Sequence, residues 1–332
     1  MDNQPNSINS VAAGSVQSAK CNGLAPMKII HAAHELGNGR RKVCLAIGVF
    51  DGVHLGHQQI IRQTVSDARG HDALALVVTF DRHPSTIVAP DRAPPQIFSR
   101  SQKIRALAAL GADALLEIPF DRPFSETSGE VFIRGLVQNL GTIHSICVGA
   151  DFVFGHRRSG NIDLLKKLGA ELHFQVHGLA ELALDGKTVS STRIREAIRA
   201  GDLDAAGQML GRPYAICGQV VAGDRLGRQL GFPTANLDST NLVLPPNGVY
   251  AGSTEWQNHF YRVALNIGTR PTVTAGPQLR VEAHLLDFSG DLYAAELEVE
   301  VGAKIRAEQR FPSAAELQAQ IGWDVATVRA AI

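Results

Sequence analysis

Two histidines three residues apart, His54 and His57, close the segment Gly48-Val-Phe-Asp-Gly-Val-His-Leu-Gly-His57. At this spacing, one turn of a helix can present both imidazoles to the same chemical group. Imidazoles placed in this way could donate hydrogen bonds to the charge that develops on a phosphoryl group during its transfer. The motif alone leaves two alternatives open, a metal-binding pair and two surface histidines without a function.

The residues around this pair predict the elements that would position it. The apolar run over residues 43–50 is typical of a buried strand, and apolar residues then recur at helical spacing over residues 56–69. Gly52 lets a tight turn close between them, and Gly56 lets the backbone approach a ligand. Because a helix N-terminus binds anions through its unpaired N–H groups, these elements favour a nucleotide phosphate site.

The N-terminal half of the chain alternates between strand-like and helix-like segments. Predicted strands cover residues 43–50, 74–80, 114–118, 145–148 and 172–176. Predicted helices cover residues 56–69, 101–110, 127–140 and 161–168, and Thr127-x-x-Glu130 is a predicted capping box. This alternation predicts a parallel sheet with helices on both faces. Ligands of such sheets bind at the carboxyl ends of the strands.

Three further polar stretches lie at strand ends or just after them, at residues 79–84, 148–155 and 189–195. The last of these runs into a predicted helix that ends at Ala200, and it combines hydroxyl groups, helix-start N–H groups and two guanidinium groups. That combination suits an anion. Taken singly, each stretch also has a simpler explanation as a turn, a glycine bend or a helix N-cap.

Two familiar nucleotide-binding patterns are missing from the sequence. Gly186-Lys187-Thr188 lacks the glycine that a P-loop has five positions before its second glycine, because that position is Glu181. No Gly-x-Gly-x-x-Gly occurs, which excludes the dinucleotide-binding fingerprint of Rossmann domains.

The C-terminal part of the chain has a different pattern, which begins after Gly211-Arg212-Pro213. Short strand-like runs cover residues 214–222, 249–254, 260–267, 279–286 and 296–301, with glycine, proline and asparagine between them. Strands without intervening helices predict an antiparallel β-barrel. Ser313-x-x-Glu316 is a predicted capping box for a closing helix.

Composition limits the function classes. A chain of 332 residues with 45% apolar and 19% charged residues predicts two globular domains. Lys+Arg and Asp+Glu are both 32, which argues against nucleic acid and anionic membranes as partners. The four cysteines are scattered, and the three that lie in apolar strand-like runs (Cys44, Cys147 and Cys217) predict buried free thiols. Without a membrane span or a signal sequence, the expected location is the cytoplasm, and residues 1–26 are expected to form a disordered tail.

The motifs, taken in order, resemble a known family. Phe-Asp-Gly-x-His-x-Gly-His after a strand resembles the nucleotidyltransferase superfamily, and more narrowly the bacterial bifunctional riboflavin kinase/FAD synthetases. Val189-Ser-Ser-Thr-Arg-Ile-Arg195 resembles the second phosphate motif of that family, and Gly227-Arg-Gln-Leu-Gly-Phe-Pro-Thr-Ala-Asn236 resembles its riboflavin kinase signature. Asn266-Ile-Gly-Thr-Arg-Pro-Thr272 also matches, so the resemblance extends from about residue 27 to the C-terminus.

The resemblance implies a division of the chain and a set of site residues. The expected parts are a tail (1–26), an FMN adenylyltransferase domain (27–188), a helical linker with the second phosphate motif (189–211) and a riboflavin kinase domain (212–332). The expected catalytic residues are Glu282, the kinase base, and His54, His57 and Arg193 in the adenylyltransferase. The other expected adenylyltransferase residues are Gly48, Phe50, Asp51, Gly56, Ser190, Ser191, Thr192 and Arg195 for ATP and its phosphates, and Asp81, His83, Pro84, Gly149, Asp151 and Phe154 in flavin or nucleotide loops. In the kinase they are Gly223, Gly227, Arg228, Gly231 and Pro233 for ATP, with Thr234 and Asn236 offering neutral oxygens to Mg²⁺.

The function implied by the resemblance is flavin cofactor synthesis in two steps. ATP would phosphorylate riboflavin to FMN, and a second ATP would adenylylate FMN to FAD with release of pyrophosphate. Riboflavin, FMN, FAD and ATP are the expected small-molecule partners, Mg²⁺ is the expected cofactor, and weak self-association is left open. Two rivals are an enzyme with a single activity and one degenerate domain, and a flavin-binding regulator without turnover.

Overall fold

The computed structural model describes residues 26–36, 42–270 and 278–331. The predicted disordered tail lies outside the described residues except for Pro26. The last two residues of the motif at 266–272, Pro271 and Thr272, also lie outside them. Cys44, Cys147 and Cys217 are buried free thiols, which confirms that prediction for three cysteines, and Cys21 is outside the described part.

The N-terminal half contains a six-stranded parallel sheet within the described residues, in the order β1-β4-β3-β2-β5-β6. Its strands are β1 (Lys28–Ile30), β2 (Lys42–Ile47), β3 (Ala73–Phe80), β4 (Ala114–Ile118), β5 (Ile143–Gly149) and β6 (Gln175–Leu179). A short hairpin follows, formed by β7 (Ala183–Leu184) and β8 (Lys187–Thr188). The predicted parallel sheet is confirmed. The second strand is shorter than predicted, because Phe50 has a φ of +52°, a left-handed conformation incompatible with a strand.

The helices of the described chain are α1 (Leu55–Gly70), α2 (Ser85–Val88), α3 (Arg100–Ala109), α4 (Arg122–Ser125), α5 (Gly129–Leu140), α6 (Ile162–Leu172), α7 (Ser191–Ala200), α8 (Leu203–Leu210), α9 (Leu226–Gln229) and α10 (Ala314–Ala331). The predicted capping box at Thr127 is wrong, because Thr127 N–H bonds to Phe124 O of the preceding turn and Ser128 caps α5 instead. Since α6 runs on to Leu172, the last strand of the sheet also begins later than predicted. None of the described helices combines the length and apolar character that a membrane crossing requires.

Strand β2 shows how the sheet is buried on both faces. Cys44 and Ala46 face the core that contains Ile61 and Val65 of α1, whereas Leu45 and its alternate neighbours face the core beneath α5 and α6. Side chains alternate between faces along a strand, so a central parallel strand that is covered on both sides is apolar throughout. This burial fixes the carboxyl end of β2, from which the histidine turn starts.

The C-terminal part forms a closed barrel of antiparallel strands in the order β10-β13-β12-β11-β14-β9. The strands are β9 (Ala215–Val221), β10 (Ala235–Leu237), β11 (Gly248–Trp256), β12 (His259–Arg270), β13 (Gln278–Leu285) and β14 (Glu296–Arg306). The barrel prediction is confirmed. Of the capping box predicted for α10, the Ser313 part is confirmed, since its hydroxyl accepts a hydrogen bond from Glu316 N–H at 3.2 Å, whereas the Glu316 carboxylate accepts from that hydroxyl at 3.1 Å. Val328 of α10 packs against Ala251 and Leu286 on the outside of the barrel.

The two halves share a continuous apolar core, to which α7 and α8 contribute Ile194, Ile198 and Met209. Polar contacts also cross between α3 and the barrel. Arg105 forms an ion pair with Glu296 at 2.6 Å and a second one with Glu298. The helices predicted as a linker are therefore packed into the core, while the boundaries of the predicted domains stay a prediction.

Candidate active sites

The turn between β2 and α1 has an unusual backbone. Phe50, Gly52 and Val53 all have positive φ, at +52°, +78° and +38°. For residues with side chains, such a conformation costs about 1–3 kcal/mol and persists only where the surroundings enforce it. Phe50 and Val53 are both buried to within 1% of full enclosure, so the core supplies part of that enforcement.

His54 and His57 stack on each other beyond this turn, with ring centroids 3.6 Å apart. His54 is the N-cap of α1, and its Nδ1 accepts a hydrogen bond from the backbone N–H of His57 at 3.4 Å. The proton of the neutral His54 ring is therefore on Nε2. Nδ1 of His57 is enclosed and finds no hydrogen-bond partner anywhere in the described part of the chain.

Both imidazoles are neutral at physiological pH. Burial lowers the pKa of His54 to about 4, with smaller contributions from the positive charges of Arg195 and Arg212. Burial likewise holds the pKa of His57 well below its usual range, and His54 adds to the effect. Each neutral ring keeps one N–H donor, which is the form that can stabilise developing negative charge without itself carrying a charge.

The second phosphate motif meets this turn. Ser190 caps α7 by accepting a hydrogen bond from Arg193 N–H at 3.2 Å, and the Ser191 hydroxyl donates to the backbone oxygen of Asp51 at 3.0 Å. The N-terminus of α7 thus lies beside the histidine turn, while Thr192 is exposed. Arg193 donates from Nη1 to the carbonyl oxygens of Leu184 and Lys187, both at 3.0 Å.

Asp51 and Arg195, both predicted to contact ATP or its phosphates, contact each other instead. The Arg195 guanidinium donates to Asp51 Oδ2 at 2.5 Å and to Pro95 O at 2.7 Å. The same carboxylate accepts from Ile97 N–H at 3.0 Å and from Phe98 N–H at 3.3 Å. Both side chains are buried, so they connect three segments of backbone rather than present free charges.

The loops after β3 and β5 lie at the same end of the sheet. Burial lowers the pKa of His83, and the charge of Arg195 lowers it further, which places His83 within the field of this cluster. Gly149 at the end of β5 lies beside Ile60 of α1. Asp151 is exposed, and Asp81 accepts a hydrogen bond from Phe120 N–H at 2.9 Å.

An aromatic row that the sequence did not reveal extends from these loops. Six rings form the row, and the centroids of neighbouring rings are 5.1 to 6.2 Å apart. From one end to the other, the rings belong to Phe80, Phe120, Phe124, Phe132, Phe154 and Phe152. The phenylalanines come from five separate segments, so no local spacing indicates the row. Phe124 and Phe132 also line a cavity of about 250 Å³ beside β4. Phe124, Phe132, Phe152 and Phe154 of this row belong to the core beneath α5 and α6.

The barrel carries a second site on its outer surface, a cavity of about 640 Å³ beneath α10 and the segment that includes α9. Glu282 on β13 is one of the residues that line it. The direct cross-strand partner of Glu282 is Asn236 on one side and Asn266 on the other. Such partners are about 4.5–5.5 Å apart between Cβ atoms. Within the described residues, the carboxylate of Glu282 makes no hydrogen bond or ion pair, so it is available to a ligand.

Two glycines lie close to residues of this cavity. A Cβ on Gly223 would lie 2.3 Å from the amide nitrogen of Asn236, and one on Gly227 would lie 2.5 Å from the backbone oxygen of Phe232. A side chain at Gly227 would therefore meet backbone, and one at Gly223 would displace the Asn236 amide. Thr234, Asn236 and Gly227 line the cavity, whereas four other predicted residues of this site do not: Gly223, Arg228, Gly231 and Pro233.

Comparisons with known proteins agree with this two-site architecture. The family model described as FAD synthetase matches residues 38–193, and the one described as riboflavin kinase matches residues 210–332. The bifunctional riboflavin kinase/FMN adenylyltransferase of Escherichia coli (strain K12) is 40% identical over 306 residues, which cover 91% of this chain and 97% of that protein. The chain belongs to the bifunctional riboflavin kinase/FMN adenylyltransferase family.

Other relatives agree over the same length. The enzyme of the same name from Pseudomonas fluorescens is 39% identical and covers 92% of this chain and 97% of its own length. A solved structure described as a macrolide-efflux protein from Streptococcus pneumoniae superposes with a TM-score of 0.77 at 28% identity, and covers 92% of this chain and 99% of its own. The sheet with the histidine turn is thus the FAD synthetase part of the family, and the barrel is the riboflavin kinase part.

The riboflavin kinase cavity also contains residues that the sequence analysis missed. Arg280 and His284 flank Glu282 at two-residue spacing on one face of β13, and strand alternation could have indicated them. Arg306 and Asp324 form an ion pair at 2.7 Å in the cavity wall. These two come from β14 and α10, so no local signal connects them.

The oxygens in this cavity fit Mg²⁺ held together with a nucleotide. No group of three or more His, Cys, Asp or Glu side chains in the described residues is arranged to hold a metal ion. Mg²⁺ is commonly bound through one or two protein ligands plus substrate phosphates. Thr234 and Asn236 offer neutral oxygens to this cavity, and Gly227 beside them has no side chain to occupy it. This arrangement suits a metal ion shared with substrate phosphates.

Proposed function

We propose that this chain makes FAD from riboflavin in two consecutive transfers. In the barrel, the γ-phosphoryl group of ATP passes to the 5′-hydroxyl of riboflavin and gives FMN. At the histidine turn, the AMP part of a second ATP joins the phosphate of FMN, which gives FAD and pyrophosphate. The observation that carries the first step is the Glu282 carboxylate, which lines a large cavity between Asn236 and Asn266 and has no hydrogen-bond or ion-pair partner among the described residues.

In the kinase step, Glu282 accepts the proton of the riboflavin hydroxyl as that oxygen attacks the γ-phosphorus. A positioned carboxylate of this kind contributes about 10²–10⁴-fold to a rate. Thr234 and Asn236 would hold Mg²⁺ together with the phosphates, and the metal would neutralise charge at the phosphate oxygens. The leaving group is ADP, so no intermediate on the protein is required.

In the adenylyl step, His54 and His57 donate hydrogen bonds to the α-phosphoryl group as negative charge grows on its oxygens. In the neutral state that burial favours, each ring still carries one N–H group with which to donate. The N-terminus of α7 adds backbone donors beside the turn, with Ser190, Ser191 and Thr192 at its start. Asp51 and Arg195 act as positioning residues, since their charged groups are occupied by each other and by backbone.

The flavin ring of FMN has an apolar surface to lie against in the aromatic row near Phe124 and Phe154. The loops around Asp81, His83 and Pro84, and around Gly149 and Asp151, flank that row. A cytoplasmic location, the absence of a nucleic-acid partner and weak self-association stay predictions.

Incubation with riboflavin and Mg-ATP, followed by chromatographic separation of FMN and FAD, tests the proposal. FMN should appear first and FAD later, with one pyrophosphate released for each FAD. FMN alone, or FAD only from added FMN, would identify an enzyme with a single activity. Flavin binding without any product would identify a regulator.

A further inference from the structure

We infer that Arg212 is a positioning residue for adenylyl transfer, supplied to the histidine turn by the segment that opens the riboflavin kinase domain. This inference rests on the proposed adenylyl step at His54 and His57. Arg212 lies within the residues matched by the riboflavin kinase model and outside those matched by the FAD synthetase model. Its side chain nevertheless contacts the FAD synthetase part of the chain.

The contacts of Arg212 converge on the strained turn. Nη2 donates to the carbonyl oxygen of Gly52 at 2.7 Å, and Nη1 donates to that of Val53 at 3.3 Å. Gly52 and Val53 are two of the three residues with positive φ. A planar guanidinium can satisfy two neighbouring carbonyls at fixed geometry, which a lysine cannot do. Arg212 therefore holds the backbone immediately before His54.

A second side chain completes the same connection. Gln58 of α1 donates to Val53 O at 3.0 Å and to Leu210 O at 2.8 Å. Leu210 ends α8, and Arg212 Nη1 also donates to its carbonyl oxygen, at 3.3 Å. The end of α8, the start of α1 and the turn are thus tied together around two carbonyl oxygens.

The local chain is built to bring Arg212 this close. A Cβ on Gly211 would lie 2.7 Å from the side chain of Leu55, the first residue of α1, and Gly211 has a φ of +73°. The positive φ favours glycine at this position, and a larger residue would also have to displace the Leu55 side chain. On its other side, the Arg212 guanidinium stacks 4.5 Å above the ring of Phe98, whose backbone N–H donates to Asp51. Arg212 is thus held between the turn and the segment that Asp51 anchors.

Arg212 also acts on the turn through its charge. Burial lowers its pKa to about 10, which still leaves it a cation at neutral pH. Its charge is one of three causes that lower the pKa of His54, after burial and Arg195. The charged or titratable groups that act on His54 and His57 are thus Arg195 from α7, Arg212 and the two histidines themselves. Geometry and charge both lead from Arg212 to the proposed donors.

Arg212→Gln and Arg212→Lys test this inference in the full-length enzyme. With FMN and Mg-ATP supplied, Arg212→Gln should lower kcat for FAD formation by about 10²-fold, the effect of displacing reacting groups by about 1 Å. The KM for FMN should change little. The rate of riboflavin phosphorylation in the same preparation should equal that of the parent. The acid limb of the FAD-forming rate should move to higher pH in Arg212→Gln but stay in place in Arg212→Lys, which keeps the charge and should retain a partial rate.

Arg105→Ala is the matched control, because Arg105 also joins the two halves but contacts Glu296 and Glu298 rather than the turn. It should keep the parent kcat for FAD formation. The inference is overturned if Arg212→Gln keeps the parent kcat, or if Arg105→Ala loses as much. If Arg212→Gln loses both activities, the comparison passes to Arg212→Lys. A selective loss of FAD formation in Arg212→Lys supports the inference. An equal loss of both rates in that variant overturns it. A parent enzyme that forms no FAD would refute the proposed function itself.

Discussion

The carboxylate of Asp51 and the guanidinium of Arg195 lie 2.5 Å apart, 144 residues distant in the sequence, and join the histidine turn to helix α7. Neither group is exposed to a ligand. The pair holds together the two segments that the proposed adenylyl site requires. Loss of this ion pair should therefore lower the stability of the fold first. It should affect catalysis only indirectly, through stability and through the position of the turn.

We expect Asp51→Asn to destabilise the N-terminal half by about 3–5 kcal/mol, because it leaves the buried Arg195 without its counter-charge. Thermal or urea unfolding followed by circular dichroism measures the loss. Glu130→Gln is the matched control, since the Glu130–Arg134 pair is exposed on α5 and should contribute about 0.3–0.5 kcal/mol. Equal losses in the two variants would show that the Asp51 pair has no special weight.

A site residue could be predicted from the sequence where the residues that define its role are neighbours in the chain. The histidine turn depends on neighbouring residues, so strand, turn, helix and donors could all be read locally. The pairing of Asp51 with Arg195 depends on tertiary contact, and a carboxylate near a phosphate motif looks the same whether it binds a ligand or an arginine. Residue types therefore indicated the location of Asp51 but not its partner.

The same limit applies to the barrel. The residues around Glu282 in the sequence match the family and predicted its role as the kinase base. Its placement between Asn236 and Asn266, however, depends on strand register. Register is set by the packing of whole strands, since a shift of one residue would turn Glu282 into the core. Arg212 lies 160 residues from Gly52, and no local pattern connects the two.

Glu282→Gln should lower FMN formation by about 10²–10⁴-fold, because the amide cannot accept the proton of the riboflavin hydroxyl. FAD formation from added FMN should continue at the parent rate. Chromatography of both flavins from one reaction measures the two steps together. Glu255→Gln, which changes an exposed carboxylate on β11 away from the cavity, should leave both rates intact. Loss of both steps in a folded Glu282→Gln enzyme would contradict separate sites.

Gly223→Ala should weaken the kinase without unfolding the barrel. The added methyl group would lie 2.3 Å from the Asn236 amide, so the amide must move away from the position proposed for Mg-ATP. The concentration of Mg²⁺ that gives half the maximal FMN rate should rise. Gly135→Ala is the control, because a Cβ there meets nothing within 4 Å. A parent-like Mg²⁺ dependence in Gly223→Ala would remove Asn236 from the proposed metal site.

The depressed pKa of His54 predicts the pH dependence of both stability and rate. The ring stays neutral in the folded protein down to a pKa of about 4, whereas in the unfolded chain it gains a proton below about pH 6.5. The unfolded state therefore binds more protons between these values, and stability should fall as the pH drops from about 6.5 towards 4. The FAD-forming rate should show no inflection near pH 6.5. An inflection there that disappears in His54→Gln would show that the ring titrates normally.

His57→Ala should accumulate FMN from riboflavin and form little FAD. Removal of one preorganised donor to developing charge typically costs about 10²–10³-fold in kcat. The kinase rate and the melting temperature should remain close to those of the parent, because His57 is half-buried and makes its ring contacts only to His54 and Phe50 among the described residues. His71→Ala is the matched control, since the His71 ring packs tilted against that of His144, with centroids 3.8 Å apart, near the amino end of β5 and away from the turn. If the histidines only shape the turn or bind a metal, His57→Ala should lose thermal stability or metal content before it loses adenylyl transfer. An FAD rate close to that of the parent would leave His57 without a catalytic role and would transfer the proposed donor function to the N-terminus of α7.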